Sequence, residues 1–340
     1  MPTNFAAWIP EAKAKLVVRE APYPSAGVGE VVVKNAAVTI NPIDCKVQEL
    51  DFFKFKYPIV PGCEVAGEIV EVGSGVTGLS VGQRVIASCD SYVQRAPDSG
   101  AFQQYSVVKA AITAPIPDSL SYEAASVLPI GLSTAGSALF LPKHLGLPVP
   151  SLTPKRIEGV ILVLGGSSSV GCNAIQLAKA AGVEVITTAG KHNFELVKSL
   201  GAARAFDRSA PDTINDILTY LRGKKLLGIV NAIGDKDTVA AAVEISVGSG
   251  GGASVVNTVP VFWELDRKGV SIEQVFGLAM VGTGVDKAVW KNFLPQALEQ
   301  GRYLAKPDAL VVEGGLEAIQ TAIDRYNQGV SAQKVVVKLD

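Results

Sequence analysis

The chain has 340 residues, of which 48% are hydrophobic and 19% charged, and its formal net charge is −1. This length predicts about two domains, and the hydrophobic fraction excludes a largely disordered chain. The near-neutral charge gives no electrostatic basis for binding nucleic acid or an anionic membrane surface.

The N-terminal residues and the cysteines indicate a cytoplasmic protein. Residues 1–18 acquire charges early and lack the apolar core of a signal peptide. The four cysteines, Cys45, Cys63, Cys89 and Cys172, form no Cys-x-x-Cys pair. This usage is typical of reduced intracellular thiols and not of a disulfide scaffold.

Residues 1–120 contain short β-branched runs separated by glycine and proline, a pattern that predicts the strands of a barrel or sandwich. The runs include VVVKNAAVTI, EVAGEIVEVG and GQRVIAS. In the segment YPIVPGCEVAG, Cys63 adjoins Glu64. This pair has two alternative interpretations, a metal site or a turn in which neither residue is a ligand.

Residues 124–142 carry no charge and approach the roughly 20 residues that span a bilayer. Serines, glycines and a proline interrupt them, so we expect a buried linker followed by a helix and no membrane span. Residues 141–156 are rich in proline and polar residues and predict a surface loop.

From about residue 127, apolar strands alternate with helices, which predicts a parallel sheet covered on both faces. The strands are GVILVL, VEVITTA, LLGIVNA and GASVVNTV, and the helices cover 170–181, 193–200 and 213–222. The end of the chain predicts one amphipathic helix and a closing strand. Its core positions are Leu316, Ile319, Ile323 and Tyr326.

Residues 159–182, GVILVLGGSSSVGCNAIQLAKAAG, predict a strand, a tight turn and a helix. Dinucleotide-binding turns place glycines at relative positions one, three and six, which here are Gly166, Ser168 and Gly171. The middle glycine is missing, but serine hydroxyls and amides at a helix N-terminus favour phosphate. The alternative is an ordinary turn with serine capping. The candidate phosphate-binding residues are Gly166, Ser167, Ser168, Ser169, Val170 and Gly171.

The end of the second sheet strand favours NADPH over NADH. NAD sites usually place Asp or Glu there for the ribose hydroxyls, whereas this segment offers Thr188, Lys191 and Asn193 and its Glu184 comes too early. Arg208, after the next strand, supplies a second cation for a 2′-phosphate. The alternative is that Lys191 and Arg208 are solvated residues at helix starts.

With these motifs in place, the chain resembles the medium-chain dehydrogenase/reductase superfamily over nearly its full length. The motifs occur in that family's order: NPIDCK, PGCEVAGEIVEVGSGV, GQRV, GAFQQY, GGSSSVG and the closing GGLEAIQTAIDRYNQGVSAQKVVVKL. Within the superfamily the chain is most similar to the zinc-independent quinone oxidoreductases, and above all to the fungal, trans-acting enoyl reductase-like branch, which includes stand-alone enoyl reductases that serve polyketide synthases.

The resemblance implies an α/β protein of two domains. Residues 1–127 and 285–340 would form a GroES-like β-rich catalytic domain. Residues 128–284 would form a Rossmann, doubly wound parallel-sheet domain that binds NADPH. It also implies that the reaction takes place in a cleft between them.

Zinc-dependent relatives bind their catalytic zinc through a cysteine, the histidine of a Gly-His-Glu motif and a third ligand. The resemblance places Asn41 and Cys63 at the first two positions, and the third falls in LPIGLSTA, which has no ligand side chain. Zinc needs three or four converging ligands, and the two histidines, His144 and His192, lie elsewhere. We therefore expect no metal, a turn at Cys63 and a structural carboxylate at Glu64.

Without a metal, reduction of a conjugated carbonyl needs donors for the developing enolate. Lys46 is the candidate donor or general acid. The alternative is that Lys46 is a surface residue or a contact of the cofactor ribose. Asn41 is a candidate contact of cofactor or substrate, and Asp44 more simply fixes the loop.

Two further groups are candidates for ligand contacts. Aromatic residues can line an apolar substrate slot or pack in the core; they are Phe52, Phe53, Phe55 and Tyr57. Ligands of such sheets bind beyond the carboxyl ends of the strands, so the nicotinamide-side candidates are Asn231, Gly234 and Asn257.

The sequence therefore predicts an NADPH-dependent, zinc-independent oxidoreductase that reduces activated C=C bonds or quinones. The alternatives are a carbonyl or alcohol oxidoreductase of the same superfamily and a non-catalytic cofactor-binding partner protein. The expected substrate is a small molecule or a carrier-bound acyl chain, for which Lys54 and Lys56 hint at a basic docking patch. A monomer and a homodimer both remain open.

Overall fold

The structure, a computed structural model, describes residues 3–51 and 53–339. It divides into two compact units: unit 1 comprises Met1–Ile130 and Leu294–Asp340, and unit 2 comprises Gly131–Phe293. The sequence placed these boundaries after residues 127 and 284. The second boundary falls later because a π-helical segment, Lys287–Phe293, is buried through Val289 and Trp290 within unit 2.

The first part of the chain forms short strands that alternate with brief helices. The strands are β1 (Asn4–Trp8), β2 (Val17–Ala21), β3 (Glu30–Thr39), β4 (Glu64–Val72), β5 (Arg84–Ser88), β6 (Tyr105–Lys109) and β7 (Thr113–Pro115). The helices are α1 (Pro42–Leu50), α2 (Ser91–Gln94) and α3 (Tyr122–Ala125).

The next part alternates helix and strand. Its helices are α4 (Pro129–Phe140), α5 (Ser169–Ala180), α6 (Phe194–Ser199), α7 (Thr213–Tyr220) and α8 (Lys236–Gly248). Its strands are β8 (Val160–Leu164), β9 (Glu184–Ala189), β10 (Arg204–Asp207), β11 (Leu226–Asn231), β12 (Val255–Asn257) and β13 (Ile272–Gln274). The chain ends with α9 (Leu294–Glu299), β14 (Asp308–Val312), α10 (Ile319–Asn327) and β15 (Gln333–Lys338).

Unit 2 is built on a six-stranded parallel sheet with the order β10-β9-β8-β11-β12-β13. This is the doubly wound order of dinucleotide-binding folds. The central strand β8 is buried at every position, as expected for a parallel strand covered on both faces. The carboxyl ends of β8, β9, β11 and β12 therefore lie along one edge of the sheet.

Unit 1 is built on a seven-stranded sheet in which β14-β15-β3-β4-β5-β7 form one path and β6 pairs with β3. All of these pairs are antiparallel except β14 with β15. The amphipathic helix α10 buries Ile319 and Ile323 against this sheet, with Leu316 and Tyr326 packed at the margin. The fold class is thus the predicted one, a GroES-like β-rich domain and a Rossmann domain.

None of the helices in the described part of the chain combines the length and the apolar character needed to cross a membrane.

Candidate active site

The turn between β8 and α5 has the geometry of a phosphate-binding loop. Gly165 has a φ of +81°, a left-handed conformation that glycine adopts without steric cost. A Cβ on Gly171 would lie 2.2 Å from the carbonyl oxygen of Gly165, so only glycine lets α5 approach the strand this closely. The sequence placed the tight turn at Gly166, whereas the structure places it at Gly165. Gly166 instead packs against Thr187.

The serines of this loop have different roles. Ser168 is the N-cap of α5: its hydroxyl oxygen accepts from the N–H of Gly171 at 3.1 Å and its O–H donates to the carbonyl of Gly165 at 2.8 Å. Ser167, Ser169 and Val170 are half-buried at the same end of the helix. A helix N-terminus presents backbone N–H groups and partial positive charge to an anion. The loop can thus bind phosphate largely through its backbone.

The end of β9 carries a mixed charge. Thr188 supports the loop, since its Oγ1 accepts from the N–H of Gly165 at 3.1 Å. Lys191 is exposed, and its Nζ lies 3.6 Å from a carboxylate oxygen of Asp207. Asp207, which was not predicted from the sequence, is in register with Ala189 at the end of the neighbouring strand β10. This corner therefore has a carboxylate as well as a cation.

Two other predicted residues lie at the same corner. Arg208 is exposed, and its backbone N–H donates to the carbonyl of Ala189 at 3.0 Å. Asn193 is buried at the start of α6. Arg208 thus lies beside the end of β9 as expected, while Asn193 belongs to the base of the helix.

The asparagines at the ends of β11 and β12 differ in their hydrogen bonds. The Oδ1 of Asn231 accepts from the N–H groups of Ile233 and Gly234 at 3.2 and 3.1 Å, and its Nδ2 donates to Thr238 at 3.1 Å. Asn231 thus shapes its own turn. Asn257 is 1% exposed and donates to the carbonyl of Val259, while its buried Oδ1 has no partner among the described residues. Of the two amides, Asn257 keeps an acceptor available.

In unit 1, a buried polar network surrounds Glu64. Its carboxylate accepts from Asn41 Nδ2 at 2.7 Å and from the backbone N–H of Ile130 at 2.8 Å, and it forms an ion pair with Lys334. Lys334 also donates to the carbonyl of Val127 at 3.3 Å. Glu64 is fully buried and Lys334 is 5% exposed. Glu64 therefore joins the start of α1, the start of α4 and strand β15.

Asp44 forms the second half of this network. Its Oδ2 accepts from the backbone N–H of Asn41 at 2.7 Å, and its Oδ1 lies 2.6 Å from the Tyr92 hydroxyl and 3.7 Å from Cys63 Sγ. Burial, with a contribution from the charge of Glu64, raises the pKa of Asp44 to about 7, against the opposing hydrogen bonds of Tyr92 and Asn41. Asp44 can thus gain or lose a proton near neutral pH.

The residues at these positions do not fit a zinc ion. Asn41 directs its amide N–H toward Glu64, and Glu64 is already neutralised by the ammonium of Lys334. Burial, together with the nearby carboxylates, raises the pKa of Cys63 well above its ordinary value, whereas zinc binds the thiolate. Among the described residues, no group of three or more His, Cys, Asp or Glu side chains is arranged to hold a metal ion.

The two predicted catalytic residues differ in their exposure to solvent. Lys46 is exposed on α1. Asn41 is 3% exposed and is held by the network. The structure thus places Lys46 where a ligand can reach it, and makes Asn41 a residue that fixes the start of the helix.

The aromatic residues form a cluster beside α1 and α2. The ring centroids of Phe53 and Phe55 lie 5.5 Å apart, and each lies within 6.2 Å of Tyr92. Tyr57 packs against the same cluster, and Phe52 lies outside the described residues. Phe53, Tyr57 and Tyr92 are only half-buried, so the cluster is a candidate apolar surface for substrate.

Two residues that complete the network, Tyr92 and Lys334, were not predicted from the sequence. Tyr92 is 48 residues from Asp44 along the chain, and Lys334 is 270 residues from Glu64. No local pattern relates such positions. The only available signal was the carboxylate in the apolar stretch around Glu64, which requires a partner wherever it is buried.

Comparison with known proteins agrees with this architecture. Residues 27–118 match the Alcohol dehydrogenase GroES-like domain family, and residues 169–299 match the Zinc-binding dehydrogenase family. The chain is 44% identical to the trans-enoyl reductase himH of Aspergillus japonicus, over 99% of this chain and 97% of the relative. It is 33% identical to lovC, the enoyl reductase component of lovastatin nonaketide synthase of Aspergillus terreus, over 94% and 92% of the two chains.

Among solved structures, a mycobacterial protein in complex with NADPH has a TM-score of 0.70 and 22% identity, with 98% of this chain and 99% of that chain covered. This similarity concerns the fold. The chain therefore belongs to the medium-chain dehydrogenase/reductase superfamily of NAD(P)-binding oxidoreductases, in its enoyl reductase-like branch.

Proposed function

We propose that the protein is an NADPH-dependent, zinc-independent reductase that adds a hydride to the activated C=C bond of an enoyl thioester. The observations that support the proposal are the close approach of α5 to β8 at Gly171 in unit 2 and the buried, charge-paired network around Glu64 in unit 1, whose residues do not fit a zinc ion. The printed names of himH and lovC, both enoyl reductases, support the same reaction.

Gly165 to Gly171 would hold the cofactor's pyrophosphate, and the cofactor would supply the hydride. Lys191 and Arg208 would bind its 2′-phosphate, because their two positive charges exceed the single negative charge of Asp207. Asn257 would accept a hydrogen bond on the nicotinamide side through its unpaired Oδ1. The NADPH complex of the structurally similar mycobacterial protein is consistent with this cofactor.

In this proposal Lys46 donates a hydrogen bond to the carbonyl oxygen of the thioester, where negative charge develops. Its exposure on α1 leaves the ammonium accessible. Asn41 has a positioning role, because its hydrogen bonds to Glu64 and Asp44 fix the first turn of the helix that carries Lys46. The aromatic cluster of Phe53, Phe55 and Tyr57 would receive the acyl chain.

The natural substrate in this proposal is an acyl chain on a carrier protein. The printed description of lovC as a component of a synthase supports a carrier-bound substrate. Lys54 and Lys56 are exposed next to the aromatic cluster and provide positive charge for an acidic carrier. The four cysteines are buried and form no disulfide, which suits the reducing conditions of the cytoplasm.

The test is a substrate panel with purified, chelator-washed protein. Loss of NADPH absorbance is followed with an enoyl thioester, the same enoyl chain on a carrier protein, a quinone and a simple aldehyde. We expect turnover of both enoyl substrates, with the lowest KM for the carrier-bound form. Oxidation of NADPH only by the quinone or the aldehyde, or activity that disappears with removal of stoichiometric zinc, would refute the proposal.

The cofactor assignment is tested by the preference for NADPH over NADH. Replacing Lys191 by Gln removes a charge worth about 1 kcal/mol in an exposed pair, so we expect the KM for NADPH to rise several-fold while that for NADH stays constant. Lys198→Gln is the matched control, because Lys198 is an exposed lysine of α6 paired with Glu195. Equal use of both cofactors by the unmodified protein would contradict the assignment.

A further inference from the structure

The proton that completes enoyl reduction needs a source, and the structure holds one in unit 1. Tyr92 lies on α2, and its hydroxyl is 2.6 Å from Asp44 Oδ1. Tyr92 is half-buried within the aromatic cluster, while Asp44 is 1% exposed behind it. A phenol at the surface of an apolar cluster thus has a buried carboxyl as its immediate hydrogen-bond partner.

We propose that Tyr92 and Asp44 form the proton supply of the reaction: the Tyr92 hydroxyl gives its proton to the α-carbon of the substrate, and the Asp44 carboxyl replaces it. This inference rests on the proposed function, since it concerns reduction of an enoyl substrate.

The hydrogen bonds of Asp44 determine which oxygen carries the proton. Oδ2 accepts from the backbone N–H of Asn41 at 2.7 Å, so a proton on the carboxyl resides on Oδ1, which faces Tyr92. The Tyr92 oxygen accepts from the backbone N–H of Gly62 at 3.4 Å and can also accept from a protonated Oδ1, which leaves the phenolic O–H available to donate to a substrate atom. The pair is therefore oriented to pass a proton outward.

The charges around Asp44 favour its protonated form. The facing titratable groups come from several elements: Glu64 and Cys63 at the start of β4, Lys334 on β15, Tyr92 on α2, Cys45 on α1 and Tyr326 on α10. Lys334 is the one ammonium among them, and it is paired with Glu64. Among the described residues, no ammonium is paired with Asp44 itself, and burial raises the pKa of its carboxyl to about 7 although the charge of Lys334 acts in the opposite direction.

The position of Tyr92 is fixed by its neighbours on α2. Ser91 donates to the carbonyl of Gly62 at 2.9 Å, and Asp90, the residue before the helix, pairs with Lys109 at 2.7 Å. The Tyr92 ring stacks on Phe53 with an interplanar angle of 18°. These contacts hold the hydroxyl at the inner side of the surface proposed for the acyl chain.

The proposed reaction adds one hydride and one proton to the C=C bond. A bound nicotinamide would supply the hydride to the β-carbon, and the electrons of the C=C bond would move onto the carbonyl oxygen. The enolate then takes the proton of Tyr92 at its α-carbon, as the O–H bond of Asp44 breaks and that of Tyr92 forms again. Burial raises the pKa of Tyr92 well above its ordinary value, so a lasting tyrosinate is costly and the two transfers are coupled. After product release, a proton from water returns to Asp44 through Tyr92.

The first test replaces Tyr92 by Phe, which removes only the hydroxyl. We expect turnover of the enoyl thioester to fall by about 10²–10⁴-fold, the usual contribution of general acid catalysis, with unchanged NADPH affinity. Tyr220→Phe is the matched control, because the Tyr220 hydroxyl also bonds a carboxylate, Glu184, at 2.8 Å but lies in unit 2. Turnover of the Tyr92 variant equal to that of this control would overturn the proposal.

The second test does not depend on activity. The infrared carbonyl band of a protonated carboxyl is followed against pH in the cofactor-free protein, and Asp44→Asn identifies the band. We expect it to disappear as pH rises through about 7, and turnover of the unmodified protein to fall over the same range. A carboxyl already ionised at pH 6 would overturn the proton supply. If the unmodified protein reduces no enoyl substrate, the proposed function fails instead, whatever the infrared result.

Discussion

Replacing Lys334 by Met should destabilise unit 1 more than replacing Lys338, the other lysine of β15, by Met. The change leaves the carboxylate of Glu64 fully buried with two hydrogen-bond donors, Asn41 Nδ2 and the N–H of Ile130, but without a cation. It also removes the donor to the carbonyl of Val127. Removing one partner of a buried ion pair typically costs about 3–5 kcal/mol.

The magnitude can be measured by urea unfolding. The chain has three tryptophans, and Trp8 is buried in the core cluster of unit 1, whereas Trp263 and Trp290 belong to unit 2. Fluorine-labelled tryptophan therefore separates the two units by NMR. We expect the Trp8 transition to lose about 3–5 kcal/mol and the other two to change little.

The control is Lys338→Met on the same strand, where the lysine is exposed and 4.0 Å from Glu313. An exposed pair contributes about 0–1 kcal/mol. The double variant Glu64→Gln with Lys334→Met should recover part of the loss, because neither charge then remains buried. If Lys334→Met cost no more than Lys338→Met, the buried ion pair of Lys334 with Glu64 would not stabilise unit 1.

Two further predictions concern Asp44 and the cofactor loop. The folded-state pKa of Asp44, about 7, lies above its ordinary value of 3.8, so the unfolded chain ionises first and the free energy of unfolding falls as pH rises from about 4 to about 7. This fall amounts to about 4 kcal/mol at 1.36 kcal/mol per pKa unit, and the Asp44→Asn variant should lack it. Parallel pH slopes in urea unfolding of the two proteins would contradict this expectation. In unit 2, Gly171→Ala should weaken NADPH binding more than tenfold in a fluorescence titration and cost about 1–3 kcal/mol, because its Cβ meets backbone at 2.2 Å. The control is Gly27→Ala, whose Cβ meets only the flexible end of Glu30, and equal NADPH affinity of the two variants would show that the loop does not require the close approach.

The Rossmann unit could be read from the sequence because its signals are local. Each apolar strand and the helix after it occupy one stretch of chain, and the parallel order follows from that alternation. The predicted helices over 170–181 and 213–222 correspond to α5 and α7. The short edge strand β13 was missed because three residues, of which Glu273 and Gln274 are exposed, give no hydrophobic pattern.

The chemistry of unit 1 could be predicted only in part, because it depends on contacts distant in sequence. In SAQKVVVKLD, Lys334 and Lys338 occupy equivalent alternate positions of one strand, and periodicity assigns both to the same face. Only the position of Glu64 on β4, two strands away from β15 in the sheet, buries one and leaves the other exposed. The pairing of Asp44 with Tyr92 likewise depends on the fold and not on a motif.

The charge balance of the network connects its stability to its proposed chemistry. It contains two carboxyl groups, Asp44 and Glu64, and one ammonium, Lys334, and the ammonium is bonded to Glu64. The network is therefore neutral only when Asp44 carries a proton. A metal ion at the same place would supply two charges and would allow both carboxylates to ionise. The single ammonium of Lys334 neutralises Glu64, so the Asp44 carboxyl is the group that holds a proton next to the Tyr92 hydroxyl. An enolate bound in the aromatic cluster would take up that proton through Tyr92.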